Sequence, residues 1–358
     1  MLRLYTDKKC TGDGGRYLPF LYPFFGKQRQ KNPLLETAFD NWIRDGKRYA
    51  VLVDSPLDCD YVIFPNDAVY VNDFRERFEK LRRIADVHGK KLVCFHMGDF
   101  GNKFHGENMI IFKTSLYSFE QRPSEFAIPY YTNDILSEIQ SPMVYRQKQD
   151  VPVVGFCGWA ELKKLKTKVH MMLQNASINA LSLLRGDIYR SKKKGIFFRQ
   201  KVIDVFSRNG GIKTNFIVRN EYFAGELNAK MSSSFGSVRE EYVNNLLNSD
   251  YALCVKGDGN YSIRFSEALC AGRIPLLIDT ACVLPFDDVI EYKSFFPIVD
   301  FRDIETVSER LRDFHKELSS EEFVELQNKA RQLWEAHLSP HGMFKTICNI
   351  LEKRVHKI

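Results

Sequence analysis

The sequence predicts an α/β protein built as two doubly wound parallel sheets, and three observations predict it. Apolar runs of strand length alternate with amphipathic helical patterns along the chain. The apolar runs are continuous rather than alternating, as in strands covered on both faces by crossover helices. A polar, proline-flanked segment, SPMVYRQKQDVP, then divides the pattern near residue 150, and 358 residues are long for one core.

In chain order, LRLYTD, YAVLVD, YVIFP, KLVCFHM, NMIIFK and EFAIP read as strands, with NDFRERFEKLRRIADVHG an amphipathic helix between YVIFP and KLVCFHM. Beyond the divide, VVGFCG, TNFIV, YALCV, IPLLID and FPIVD are strands. A long helix from about Lys166 to Leu184 follows VVGFCG, and a last helix covers roughly Pro340 to Lys353. The expected organisation is a first Rossmann-like domain over 1–150, a second over 151–338, and a terminal segment 339–358 crossing back to the first.

Composition excludes several classes. Apolar residues make up 44% of the chain, with 28 Phe and 16 Tyr, ample for two buried sheets, and 27% charge argues against disorder. No apolar stretch approaches the roughly 20 residues that span a bilayer, and MLRLYTDKK lacks the basic-then-apolar pattern of a secretory signal. Cys94, Cys157, Cys254 and Cys270 lie in apolar contexts with no CxxC pair, so they are expected buried and reduced. The expected location is cytoplasmic.

The net charge of +7 is concentrated at Lys163, Lys164, Lys166 and Lys168, then at Arg190 to Lys194, Arg199 and Lys201, and in the final EKRVHK. An ordinary solvated face and attraction to an anionic membrane surface or lipid-linked acceptor both fit this pattern. Nucleic acid fits least, because no helix-turn-helix, zinc-finger or RNP pattern accompanies the basic runs.

The densest chemistry lies in YALCVKGDGNYSIRFSEALCAGRIPLLID, residues 251–279. A strand leads into a loop in which Gly257 and Gly259 permit tight turning and close approach of backbone to a ligand. A helix starting near Ser262 and ended by Gly272 and Pro275 offers unpaired N–H groups to a phosphate. Arg264 on its first turn and Glu267 three residues on share a face, so a cation for a diphosphate and a carboxylate for ribose hydroxyls can reach one nucleotide. The plain alternative is a helix-surface Arg264–Glu267 salt bridge.

Several ordered elements from Val238 to Asp303 resemble the donor-binding half of the exostosin family of glycosyltransferases. They are Arg239 and Tyr242, the Ser249–Val255 strand, the Gly257 loop, Arg264 with Glu267-Ala268-Leu269, Gly272 with Ile274-Pro275, and Leu284-Pro285-Phe286 with Asp288-Val289. Upstream, YVIFPND, CFHMGDFGN and FAIPYY are collinear with the family's pattern. The resemblance implies the GT-B architecture, two Rossmann-like domains facing a cleft. It also implies inverting transfer from a nucleotide sugar, usually a UDP-sugar, to a hydroxyl of a growing glycan or polysaccharide. Animal and plant exostosins typically carry an amino-terminal membrane anchor, a pattern from which MLRLYTDKK departs.

On that resemblance Arg264 serves the diphosphate and Glu267 the ribose. Gly257, Asp258, Gly259 and Ser262 approach the donor, and Arg190 or Lys194 adds phosphate charge. The base is expected from the other domain: Asp99, in a glycine-flanked loop after KLVCFHM, with His96, His105 and Glu107 as rivals. Leu284, Pro285 and Phe286 either shape the cleft wall or pack the second domain, and Tyr261 either stacks on the ligand or caps the loop. Asp58-Cys59-Asp60 is a DxD but reads as a turn before a strand, so no metal or other cofactor is expected, the helix end and Arg264 offsetting leaving-group charge. Gly12–Gly15 could shape another loop. A GDP-sugar enzyme of fucosyltransferase type and a non-catalytic partner subunit are the rival readings. Asn260-Tyr261-Ser262 is a glycosylation sequon whose glycan would block the donor loop.

Overall fold

A computed structural model of the chain describes residues 1–7, 16–30, 32–221 and 233–355. These form two parallel sheets. The first contains β1 (Leu2–Tyr5), β2 (Ala50–Leu52), β3 (Tyr61–Asp67), β4 (Lys91–His96), β5 (Met109–Lys113) and β6 (Glu125–Ala127), in the order β2-β1-β3-β4-β5-β6. The second contains β7 (Val153–Trp159), β8 (Lys213–Arg219), β9 (Tyr251–Cys254), β10 (Ile274–Asp279) and β11 (Ile298–Asp300), in the order β11-β10-β9-β7-β8. Neighbouring strands pair parallel throughout. The predicted class, two doubly wound parallel α/β sheets, is what the structure shows.

Burial explains the continuous apolar runs. Strands β3, β4 and β5 are buried along almost their whole length, as a strand covered on both faces must be. The helix Arg75–Val87, joining β3 to β4, buries Leu81 and Ala85 in one cluster with Val62, Phe64, Leu92, Cys94 and Ile111. A fully buried side chain of this size contributes roughly 1.5–3 kcal/mol.

The chain divides into two compact units: the described residues of Met1–Asp134 with Val283–Ile290 and the chain from Leu333 onward, and Ile135–Cys282 with Glu291–Gln332. The segment 135–150, which the sequence reading leaves in the first domain, packs in the second unit. There Glu138 receives Arg239, and Arg146 Nε donates to Asp250 at 2.5 Å. Leu284, Pro285 and Phe286 do the reverse and belong to the first unit. Val283 N donates to Leu116 O at 3.2 Å and Phe286 N to Ala127 O at 3.0 Å, both within the first unit. The helix Pro340–Val355 also belongs to the first unit, where its Leu351 carbonyl accepts from Tyr61 Oη at 3.1 Å.

Strand order reverses once in each sheet. In the second, β8 lies on one side of β7 and β9 on the other; in the first, β2 and β3 flank β1. Ligands of open parallel sheets bind outside the carboxyl ends at such points. For the second sheet this places the site at the end of β7 and at residues 255–262 after β9. Gly12–Gly15 fall outside the described residues.

Candidate functional site

The loop after β9 runs into the helix Ile263–Cys270, with Ser262 as its extended N-cap and Gly272, at φ +62°, closing its far end. Ser262 makes no side-chain capping bond. Within the loop, Gly259 is buried, Gly257 half-buried and Asp258 exposed. Asn260 is fully buried: its Nδ2 donates to Ala281 O at 3.1 Å and its Oδ1 accepts from Thr280 Oγ1 at 2.7 Å. The sequon asparagine is thus a tether of the loop. Tyr261 is buried too, with its hydroxyl 2.5 Å from Ser266 Oγ, so it braces the loop from within.

Arg264 reaches back across β7. Its Nη2 donates to Cys157 O at 2.5 Å, and its guanidinium lies 4.6 Å from the Phe156 ring centroid and 5.6 Å from that of Tyr242. Its buried Nε has no hydrogen-bond partner. Cation–π contact of this kind contributes about 0.5–2 kcal/mol and fixes the plane of the fork.

Glu267 does not pair with Arg264 among the described residues, which removes the helix-surface salt bridge. Its carboxylate is instead fixed from the helix Ser233–Leu247: Arg239 Nη1 donates to Oε1 at 3.0 Å and Tyr242 Oη to Oε2 at 2.5 Å. Arg239 simultaneously forks onto Glu138 through Nε and Nη2, each at 3.0 Å. Burial together with the Glu267 charge pushes the Tyr242 phenol well above its ordinary value, so it stays a donor. A carboxylate has about four acceptor sites, and two ribose hydroxyls can share Glu267 with these residues.

Other cations cluster at the same edge, and periodicity did not single them out for this site. Lys256, immediately after β9, is buried and donates from Nζ to Ser191 O at 2.7 Å. Burial lowers its ammonium to about 7. Arg199 is buried on the helix Gly195–Arg208 and donates from Nη1 to Trp159 O, at the end of β7, at 3.0 Å. That helix begins hard against the loop after β9, since a Cβ on Gly195 would stand 2.0 Å from Lys256 O and 2.5 Å from Gly257 O. A pair of apolar neighbours in sequence, Val255 before Lys256 and Phe198 before Arg199, is the only local hint that these cations turn inward.

Arg190 is half-exposed and forms a surface pair with Asp187 at 2.9 Å. Lys194 is the exposed N-cap of the helix Gly195–Arg208. Asp60 of the DxD is occupied by Arg3, whose Nη2 donates to it at 2.8 Å. A cavity of about 520 Å³ lies elsewhere, among residues preceding β7, β9 and β10, including Arg146, Asn248 and Arg273. It is at the opposite strand ends from Arg264 and contains none of the donor candidates.

In the first unit, Asp99 is exposed and accepts a hydrogen bond from the Tyr130 hydroxyl. His96 is buried against Gly98 and Gly101, and burial lowers its imidazole. His105 and Glu107 are exposed. Sequence reading missed Asp67, which ends β3 beside the reversal point. Its Oδ1 accepts from Val69 N at 3.0 Å and Met97 N at 3.1 Å, and burial raises its carboxyl above the ordinary range.

Residues 166–314 match the family described as the Exostosin GT47 domain. An Exostosin-1 homolog of Caenorhabditis elegans is 32% identical over 128 residues, covering 33% of this chain and 32% of its own length. Exostosin-1 of Drosophila melanogaster is 33% identical over 99 residues, covering 28% and 12% respectively. The matches thus span no more than about a third of these relatives. A crystal structure of a glycosyltransferase from Rickettsia africae covers 92% of this chain and 84% of its own at 10% identity, with a TM-score of 0.39.

Proposed function

We propose, with the exostosin GT47 match as premise, that the chain is a glycosyltransferase that takes a nucleotide sugar, a UDP-sugar, and moves the sugar with inversion to a hydroxyl of a growing glycan or lipid-linked glycan. The observation that carries the reading is the placement of Arg264 beside the tethered carboxylate Glu267, at a helix amino end outside the strand-order reversal. A nucleoside diphosphate needs a cation, backbone N–H groups and a ribose acceptor together.

The assigned steps follow from charge. As the glycosidic bond to phosphate breaks, negative charge grows on the departing diphosphate. Arg264 and the N–H groups at Ile263 and the donor loop stabilise that charge, with Lys256 and Arg199 adding positive potential behind them. On this reading the cations do what a divalent ion does elsewhere. The base removes the acceptor proton as the new bond forms. Asp99 takes that role; the Tyr130 hydrogen bond orients its carboxylate. Asp67 is the second candidate, favoured by its backbone-clamped Oδ1 and raised carboxyl.

Calorimetric titration of the whole chain with UDP, GDP and CMP, with and without manganese, tests the reading. UDP binding that needs no metal and is lost in Glu267→Ala supports it, GDP preference moves the donor class, and no nucleotide binding overturns it. With the donor known, Asp99→Asn and Asp67→Asn decide the base: the true base loses turnover while keeping donor affinity. Turnover kept in both variants moves the base to His96, His105 or Glu107, and donor binding without any turnover in the parent protein points to the non-catalytic partner.

A further inference from the structure

We propose that the helix Leu165–Arg185 is an interfacial element that seats the protein on an anionic lipid surface. The helix has 21 residues, about 30 Å at 1.5 Å per residue. It packs on the protein through one narrow face, on which only Ile178 and Ser182 are buried. Large apolar side chains point away from that face: Leu165, Val169, Met172, Leu173, Leu183 and Leu184 are 74, 47, 67, 65, 87 and 86% exposed. At about 100° per residue, the centre of this stripe stands roughly 160° from the packed face. An apolar stripe on the far side of a packed helix stabilises nothing within the fold, and contiguous exposed apolar surface marks an interaction site.

Charge selects the occupant. Lys163, Lys164, Lys166 and Lys168 gather at the amino end and Arg185 closes the other, and no Asp or Glu lies between Leu162 and Gly186. A second copy of the chain would bring these like charges together. An anionic bilayer takes the apolar stripe into its acyl boundary and the lysines at its headgroups, the arrangement of amphipathic helices that lie in the membrane plane. Among the described residues no helix is long and apolar enough to cross a membrane, so the contact is with one surface. The inference does not depend on what the donor site binds.

Co-sedimentation of the full chain with vesicles tests it. Binding is expected to phosphatidylcholine vesicles containing phosphatidylglycerol and not to phosphatidylcholine alone. A triple variant, Leu165→Ser with Met172→Ser and Leu183→Ser, should abolish it; all three positions are exposed, so folding is retained, which UDP titration or circular dichroism checks. Replacing the four lysines by Gln should weaken binding about fivefold per lysine. No sedimentation with anionic vesicles, or sedimentation unchanged in the triple variant, overturns the proposal. So does a concentration-dependent dimer that the triple variant dissolves without any vesicle binding.

Discussion

Arg239 and Glu267 are 28 residues apart in sequence and 3.0 Å apart in the fold, with the guanidinium held on its other edge by both oxygens of Glu138. One arginine therefore fixes the carboxylate proposed for the ribose and ties the segment after Asp134 into the second unit. Arg239→Ala leaves two carboxylates facing each other in a buried setting, at a cost of about 3–5 kcal/mol. Urea unfolding should show that loss. Arg239→Lys should recover part of the stability but little nucleotide affinity, since an ammonium cannot fork; equal recovery of both would rule out an orienting role.

Arg264→Lys is expected to weaken UDP binding by roughly 10- to 100-fold, the equivalent of one charged hydrogen bond of about 1.5–3 kcal/mol. The stack on Phe156 and the bond to Cys157 O depend on a planar fork. Calorimetry measures the change, and unchanged affinity would remove Arg264 from the donor site.

Lys256 makes stability depend on pH in a stated direction. Its folded value is lowered to about 7, against about 10.4 in the unfolded chain. Between those values the unfolded state binds more protons, so stability rises with pH across that window; below about 7 the burial cost is fully present, and above about 10.4 it is gone. Lys256→Met should therefore stabilise the fold at pH about 6 and much less at pH about 10. Urea midpoints at the two pH values read the difference, and an equal effect at both would refute the assignment.

Gly195→Ala should disturb the loop proposed for the donor without altering any of the side chains assigned to it. The added Cβ would meet the backbone carbonyls of Lys256 and Gly257 at 2.0 and 2.5 Å, and backbone cannot rotate aside as a side chain can. Overpacking costs about 1–3 kcal/mol. The expected signature is a lower thermal midpoint with weaker UDP binding, whereas Gly210→Ala, with open space at its Cβ, should change neither through packing.

The first unit contains its own test of buried charge. Lys113 on β5 and Glu125 on β6 pair at 2.7 Å with side chains 1 and 3% exposed. Glu125→Gln should cost about 3–5 kcal/mol by stranding the ammonium, while Lys113→Met with Glu125→Leu should come close to the parent. Chemical denaturation of the three proteins distinguishes a costly unpaired charge from a stabilising pair.

Local patterns in the sequence determined a good deal. Apolar runs located all eleven strands of the described residues, and in β3, β4 and β5 they are unbroken because a strand covered on both faces has no solvent side to mark with polar residues. The glycine loop, the helix and its stop at Gly272 were legible from turn chemistry, and the three-residue spacing of Arg264 and Glu267 set them on one helical face. Tertiary structure alone decided what that face meets. Arg239 and Tyr242 were visible as part of the exostosin-like series, but not as the groups that hold Glu267. Lys256 and Arg199 read as ordinary basic residues until burial turned them toward the loop, and Asp67 read as the end of a strand. Hydrogen-bond partners and buried charge are set by segments tens to hundreds of residues apart, whereas periodicity reports only the few residues of one turn or one pleat.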